Sequence, residues 1–361
     1  MVAFTILAGG YDVFVATYLF DSASSSLSLL SKSPTGPSPS WLSLHPTNKS
    51  ILYAVNEVTA GALQSFDIGP KGTLSNAVNT VSSGGDSPAF ATALSTGEVA
   101  IFNYNSGNGR IVPTTSSPRT FDNSAPVITF PRPPAPGVSH PHQAVEVGNE
   151  VLIPDLGGDT IWRLGRTNIP GNYKIQGSIP QPKGSGPRHI AVGNDRIFTL
   201  HELTSTLTVQ GIPNAPNGTC SIIASASTIP PNPPSGAVFA AAEILIPPPT
   251  AKFPKSYIYV SNRNTGVLDT RGDTIAIFEH VNVGTRSEGL KLVNQVYTEI
   301  NQPRGMAFGP ADGRGGEEFL VVAGVAGTAG TLVLKRTDGG RNLELVVKNL
   351  EVPTRTTFVW L

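Results

Sequence analysis

Within Ser185 to Val209 the chain carries Arg188, His189 and Glu202, a fixed cation, a base and an acid. Brought together on one substrate, such groups would move a proton beside a stabilised negative charge. They fall at the ends of strand-like pieces. Arg188 to Val192 is followed by a turn at Gly193-Asn194-Asp195, then Arg196 to Glu202, then Thr206 to Val209 with alternating character. That spacing predicts most of one antiparallel meander.

The elements that would position these residues recur along the chain. Phe4 to Ala8 and Val13 to Phe20, separated by Gly9-Gly10, read as strands, and Leu27 to Leu30 as a third. After Pro39 and Trp41 come a strand to Leu44, a turn at His45 to Lys49, the strand Ile51 to Val55, the polar pair Asn56-Glu57 where the first stretch has His201-Glu202, and the strand Ala62 to Ile68. Similar openings stand at Ser87-Pro88, His140-Pro141-His142-Gln143, Ala241-Ala242-Glu243-Ile244 and Gln302-Pro303-Arg304-Gly305, and a last one at Val352 to Leu361. With anchors at 39, 88, 141, 187, 241, 303 and 353 the period lies near 50. A period of that size with several strands per unit means a propeller or a solenoid.

The last unit holds only its first strand, and the first 30 residues supply strands with no opening strand before them. Joining the two closes a ring and removes the edges that an open array would expose. The expectation is an all-β, seven-bladed β-propeller over residues 1–361 as a single domain, closed by pairing of the C-terminal strand with the N-terminal strands. The proline-rich stretches Pro131 to Pro136, Ile229 to Pro234 and Pro247 to Pro254 are expected to be loops rimming one face, or plain connections, because proline cannot serve in a central ladder.

In a propeller the start of each first strand and the end of each second can face one mouth of the central channel. The candidates at such positions are His140, His142, Asp155, Arg188, His189, Glu202, Glu243, Arg263 and Arg304. Each also has a plain structural reading: histidines beside proline as turn residues, Pro-Arg arginines as strand caps, Glu202 as a partner for backbone groups. A metal role for His140-Pro141-His142 is disfavoured, because no cysteine is near and neighbouring strand residues point to opposite faces. Gly184-Ser185-Gly186-Pro187 lacks the lysine and the strand-to-helix setting of a phosphate loop.

Composition narrows the partners. Lys plus Arg is 25 and Asp plus Glu is 25, so no positive field exists to hold nucleic acid or an acidic membrane. Charged residues are only 14%, with 38 Gly and 32 Pro, which suits many short strands better than helices. The lone Cys220 cannot form an internal disulfide and suits a reducing compartment, so a cytoplasmic location is expected. The apolar start breaks at Gly9-Gly10 without a basic region, and no apolar run reaches the length of a membrane span. Asn48-Lys49-Ser50 and Asn217-Gly218-Thr219 are therefore read as chance sequons. None of the three tryptophans precedes aspartate, so the repeat signature of common scaffold propellers is absent.

The motifs Pro141-His142, Pro154 to Gly157, Gly186-Pro187-Arg188-His189, Glu202 to Thr206, Ala241 to Ile244, Tyr259 to Arg263 and Pro303-Arg304 resemble the seven-bladed propeller lactonase group, and the resemblance covers essentially the whole chain. That group includes bacterial 6-phosphogluconolactonases and fungal carboxy-cis,cis-muconate cyclases. Trp41 and the proline-rich loops resemble the fungal branch more closely. The chain departs from the group in its turns, where Gly193-Asn194-Asp195 and Pro46-Thr47-Asn48 replace the usual Pro-Asp-Gly.

The resemblance implies His142, Arg188, Glu202 and Arg263 as catalytic residues. His140, Asp155, His189, Glu243 and Arg304 are expected as substrate-binding neighbours, with no metal and no cofactor. The expected activity is cycloisomerisation of a carboxylated muconate to a lactone in aromatic catabolism: Arg188 and Arg263 would hold carboxylates and steady enolate charge while Glu202 or His142 shuttles the proton. Hydrolysis of a sugar-acid lactone is the alternative, since both reactions share a polarised ester carbonyl and an anionic partner. A non-catalytic binding scaffold is the third reading. The expected partner is a small carboxylate or lactone, and a homo-oligomer is left open.

Overall fold

Twenty-eight strands and three short 3-10 turns make up the secondary structure of the described residues, with no α-helix among them. They come from a computed structural model that describes residues 2–135 and 137–361; Pro136, the end of one proline-rich stretch, lies outside them. The strands form seven four-stranded antiparallel sheets. Their innermost strands, in ring order, are Thr357–Trp360, Leu42–Leu44, Pro88–Ala93, Val145–Val147, Pro187–Gly193, Phe239–Leu245 and Asn301–Phe308. These openings coincide with the sequence anchors, and we number the blades 1 to 7 in this order.

Blade 1 closes the ring. Thr357–Trp360 pairs antiparallel with Ala3–Gly9 in the register Ile6↔Trp360 and Gly9↔Thr357. Closure leaves neither chain end of the sheet as an unpaired inner edge.

Second and third strands are apolar on both faces because each blade is packed between two others. Ile51–Asn56, Val99–Asn103 and Ile258–Asn264 are buried at every position. Blades 7 and 1 share a core of Phe4, Phe20, Phe319, Val333, Phe358 and Trp360. Each unit also has a fourth, outer strand that the repeat reading resolves only in blade 1. Strands such as Ile222–Ser227 alternate between half-buried and exposed residues and carry no continuous apolar run.

The proline-rich stretches do not share a face. Ala240 pairs with Arg263 at one end of blade 6 and Leu245 with Tyr259 at the other. Residues 246–257 connect at the Leu245 end, whereas 229–234 lead into the Ala240 end. By the same order of strands 131–135 lie on the Ala240 side, so only two of the three rim the mouth where the candidate residues gather.

Candidate active site

A repeated device aims side chains at the channel. In blades 3, 5 and 7 the innermost strand carries a proline at or near its start, and the register slips immediately after it, between Pro88 and Phe90, Pro187 and His189, and Pro303 and Gly305. The slipped residues are Ala89, Arg188 and Arg304. Blade 6 slips between Ala241 and Ile244, over Ala242 and Glu243. A bulge leaves one residue unpaired and re-aims its side chain. In blade 4, Pro141 bridges Asp155 and His142 follows it, at the position of Arg188 and Arg304.

The ends of the second strands follow a companion rule. A polar residue at or near that end ties down a loop: Asn56 Nδ2 donates to Pro37 O (2.9 Å), Asn103 Nδ2 to Ser83 O (3.0 Å) and Asn262, two residues before the end of its strand, from Nδ2 to Thr228 O (2.5 Å). The next residue turns toward the channel, because successive side chains of an extended chain alternate. Those next residues are Glu57, Tyr104, Glu202 and Arg263.

Glu57, Tyr104, His142, Glu202, Arg263 and Arg304 line one cavity of about 180 Å³. Glu202 Oε2 lies 2.8 Å from Arg188 Nε and 2.7 Å from Arg263 Nη2. Arg188 is 1% exposed and stands behind this carboxylate, its Nη1 donating to Ala242 O. Arg263 Nε donates to Ala240 O (3.2 Å), which fixes the plane of its guanidinium. Arg304 lies 3.7 Å from Glu57 Oε2 and over the ring of Tyr11, whose hydroxyl donates to Glu57 Oε1. Three guanidiniums thus face two carboxylates, and the surplus suits an anionic substrate. Burial, with Arg263 and Arg304 adding to it, brings Arg188 down to about 9, still charged at neutral pH.

His142 is 3% exposed, and burial followed by the Arg188 charge holds it well below the ordinary histidine value. The ring is therefore neutral. Its Nδ1 is 3.2 Å from His189 Nε2, which leaves Nε2 as the nitrogen available to the cavity. A neutral imidazole nitrogen beside a positive cavity can accept a proton from water, and guanidiniums can hold the oxyanion that forms.

The remaining sequence candidates take other places. Asp155 is fully buried as a loop anchor: it accepts from Ser139 Oγ (2.6 Å), His140 N (2.6 Å), Gly158 N (2.9 Å) and Trp162 Nε1 (2.9 Å). It occupies the loop-holding position of the second strand, and Leu156 follows where other blades present a polar group. His140 stacks on Tyr104 at 4.3 Å and so orients that ring rather than the substrate. His189 and Glu243 do not line the cavity either. His189 follows the slipped Arg188 by one step and Glu243 is the second residue of the blade 6 slip; Trp41 and Phe90 flank His189 edge-on. Glu57 and Tyr104 line the cavity but were not among the sequence candidates. The signal was present: Asn56-Glu57 and Asn103-Tyr104 stand in the same register as His201-Glu202.

A larger cavity of about 640 Å³ lies between blades 3 and 4, away from the channel, but its charged groups are already engaged. Its lining Tyr173 Oη donates to the neighbouring Glu98 (2.7 Å), with which Arg166 pairs at 3.5 Å, Glu146 accepts from Ser95 Oγ (2.6 Å) and Glu150 pairs with Arg163 (2.6 Å). Among the described residues no three His, Cys, Asp or Glu side chains converge as a metal set.

A family model described as "Lactonase, 7-bladed beta-propeller" matches residues 5–360. A protein of Arthroderma benhamiae named "Probable 6-phosphogluconolactonase" is 27% identical over 215 residues, 55% of this chain and 52% of that protein. The alignment spans about half the length of this curated relative. The crystal structure of a Lactobacillus plantarum protein superposes with a TM-score of 0.83 at 22% identity, covering 100% of both chains. The periplasmic gluconolactonase of Pseudomonas aeruginosa superposes with a TM-score of 0.82 at 21% identity, covering 100% of this chain and 99% of that one. At these identities the structural likeness speaks for the fold.

Proposed function

The chain belongs to the seven-bladed β-propeller lactonase family, and from that premise we propose that it hydrolyses the lactone of a sugar acid bearing an anionic group, such as 6-phosphogluconolactone. The observation that carries this reading is the meeting of Arg263, Arg304 and a neutral His142 with a free Nε2 in one small cavity. Water held by His142 would attack the ester carbonyl. Arg263 and Arg304 would receive the carbonyl oxyanion and the remote anionic group. Glu202, bridging Arg188 and Arg263, keeps those cations at fixed positions, so that little reorganisation accompanies the charge development. The names of the Arthroderma and Pseudomonas relatives both concern lactones of gluconate, which supports the substrate class.

Cyclisation of a carboxylated muconate, the activity expected first from the resemblance to the fungal branch, needs the same cations and a proton donor. Neither the family description nor those two names speaks for it, so hydrolysis stands ahead.

A pH-stat assay of purified protein with 6-phosphogluconolactone and unphosphorylated gluconolactone, corrected for spontaneous opening, tests the proposal. Diene absorbance of 3-carboxy-cis,cis-muconate is followed in parallel. Arg263→Ala should lower kcat/KM for lactone opening by about 100-fold or more, as loss of an oxyanion donor does. Arg304→Ala should raise KM more for the phosphorylated lactone than for the unphosphorylated one. Diene loss without lactone opening would return the cyclase to first place, and inertness toward all three compounds would sink both.

A further inference from the structure

Beneath the cavity, three side chains from consecutive blades form a hydrogen-bonded line that crosses the channel. His142 Nδ1 is 3.2 Å from His189 Nε2, and His189 Nδ1 is 2.8 Å from Glu243 Oε1. All three are buried, at 3%, 0% and 4% exposure. Glu243 Oε1 also accepts from Ile244 N at 3.0 Å. Glu243 further lines a second cavity of about 260 Å³ deeper in the channel, with Trp41, Phe90, Gln143, Met306 and Phe358.

The chemistry of the two rings follows from the carboxylate. Facing Glu243, His189 must carry its proton on Nδ1, and its Nε2 becomes an acceptor. His142 must then donate from Nδ1, and its Nε2 holds a lone pair toward the substrate. The line therefore selects the tautomer of His142 that can act as a base.

It also answers an electrostatic difficulty. A base that kept its proton would become an imidazolium facing Arg188, Arg263 and Arg304, with Tyr104 edge-on to its ring. Arg188 and Arg304 also oppose charge on His189, where only Glu243 favours it. Positive charge is thus disfavoured at both rings, while the far end offers a carboxylate.

We propose that His142, His189 and Glu243 form a proton relay that carries the proton of the attacking water out of the cavity. The water O–H bond breaks and its proton goes to His142 Nε2. The Nδ1 proton of His142 passes to His189 Nε2, and the Nδ1 proton of His189 passes to Glu243. Both rings end neutral, Glu243 is protonated, and the new negative charge on the tetrahedral carbon's oxygen lies among the arginines. When the ring C–O bond breaks, the same steps in reverse protonate the leaving alkoxide and restore the carboxylate. His142 touches the reacting water; His189 and Glu243 act through it.

The relay rests on the hydrolytic reading, but its first test does not. Nitrogen NMR of protein labelled with 15N in the histidine rings reports tautomers without substrate. Both His142 and His189 should be protonated at Nδ1 and unprotonated at Nε2; an Nε2-protonated His142 overturns the proposal. The second test is Glu243→Gln, whose amide oxygen still accepts from Ile244 N and His189 Nδ1 but takes no proton. On a lactone that the wild type opens, kcat should fall by about 100-fold while KM changes little. The rate in H2O/D2O mixtures should report several protons in flight in the wild type and fewer in the variant. Unchanged kcat would reduce His189 and Glu243 to packing and overturn the relay. Should the wild type open no lactone at all, the hydrolytic reading fails on that assay, and the tautomer spectrum alone decides whether the hydrogen-bonded line exists as described.

Discussion

At the scale of single residues, burial decides which titratable groups are charged. His201, the last residue of its strand, is fully buried against Thr208 Oγ1 at 3.0 Å, and burial pushes its pKa down to about 4. His142 and His189 shift in the same direction. Each is neutral when folded and takes up a proton on unfolding below its ordinary value near 6.5. The unfolded state then binds more protons, so their contribution to stability is full above pH 6.5 and is lost as pH falls below it, for His201 down to about 4. For His201 alone the loss at pH 4.5 is about 2–3 kcal/mol. Urea midpoints should therefore drop between pH 7 and pH 4.5, and His201→Gln should show a smaller drop. Equal drops in wild type and variant would mean that His201 is protonated in the folded state.

At the scale of elements, the closing strand has the largest single anchor. Trp360 is 8% exposed, meets Phe4 edge-on at 5.6 Å and Phe20 at 6.3 Å, and donates from Nε1 to Ala307 O at 3.1 Å, which joins blade 1 to blade 7. Trp360→Ala should cost about 3–5 kcal/mol, the usual range for removing a buried aromatic side chain. Denaturant unfolding measures it, and a loss under about 1 kcal/mol would mean that the strand pairing with Ala3–Gly9 closes the ring without this side chain. The bulges are the other decisive elements, since they turn Arg188 and Arg304 inward from strands whose regular alternation would set them differently.

At the scale of the whole molecule, the ring is tight where innermost strands meet. A Cβ at Gly305 would stand 2.1 Å from Thr356 O, and one at Gly9 2.1 Å from Pro39 O. Both contacts join one blade to the next, so a methyl group there can be accommodated only by shifting backbone. Gly305→Ala should destabilise by about 1–3 kcal/mol, the range for overpacking. Because Gly305 follows Arg304, it should also raise KM for an anionic lactone. Thermal unfolding and steady-state kinetics check the two effects, and an unchanged Tm would mean that blades 7 and 1 can part without cost. The balanced total of 25 basic and 25 acidic residues hides a local surplus. Folding gathers guanidiniums from three blades at one mouth, an arrangement suited to an anionic ligand.

The repeat was legible because each blade must open with a strand that lines the channel and continue with strands buried on both faces. Proline at the opening and apolar runs after it leave a mark at every period. Outer strands left little mark, since one exposed face relaxes the demand for apolar residues. Arg263, Arg304, Glu202 and His142 could be picked out by their register in the repeat, and Glu57 and Tyr104 could have been found the same way. Asp155 was misplaced by a single step: side chains alternate along an extended chain, so the last residue of the strand anchors a loop while its neighbour faces the channel. No sequence pattern revealed that Arg188 stands behind Glu202, or that His189 and Glu243 lie beneath His142 in one line. Arg188 and Glu202 meet within one blade, whereas the His142–His189–Glu243 line joins residues about fifty positions apart on consecutive blades, which only the packing of those blades brings within hydrogen-bonding distance. The sequence by itself determined the unit and its repetition, because strand formation and burial are local demands. The tertiary structure decided which side chains share a cavity, because convergence depends on bulge geometry and on the closing of the circle.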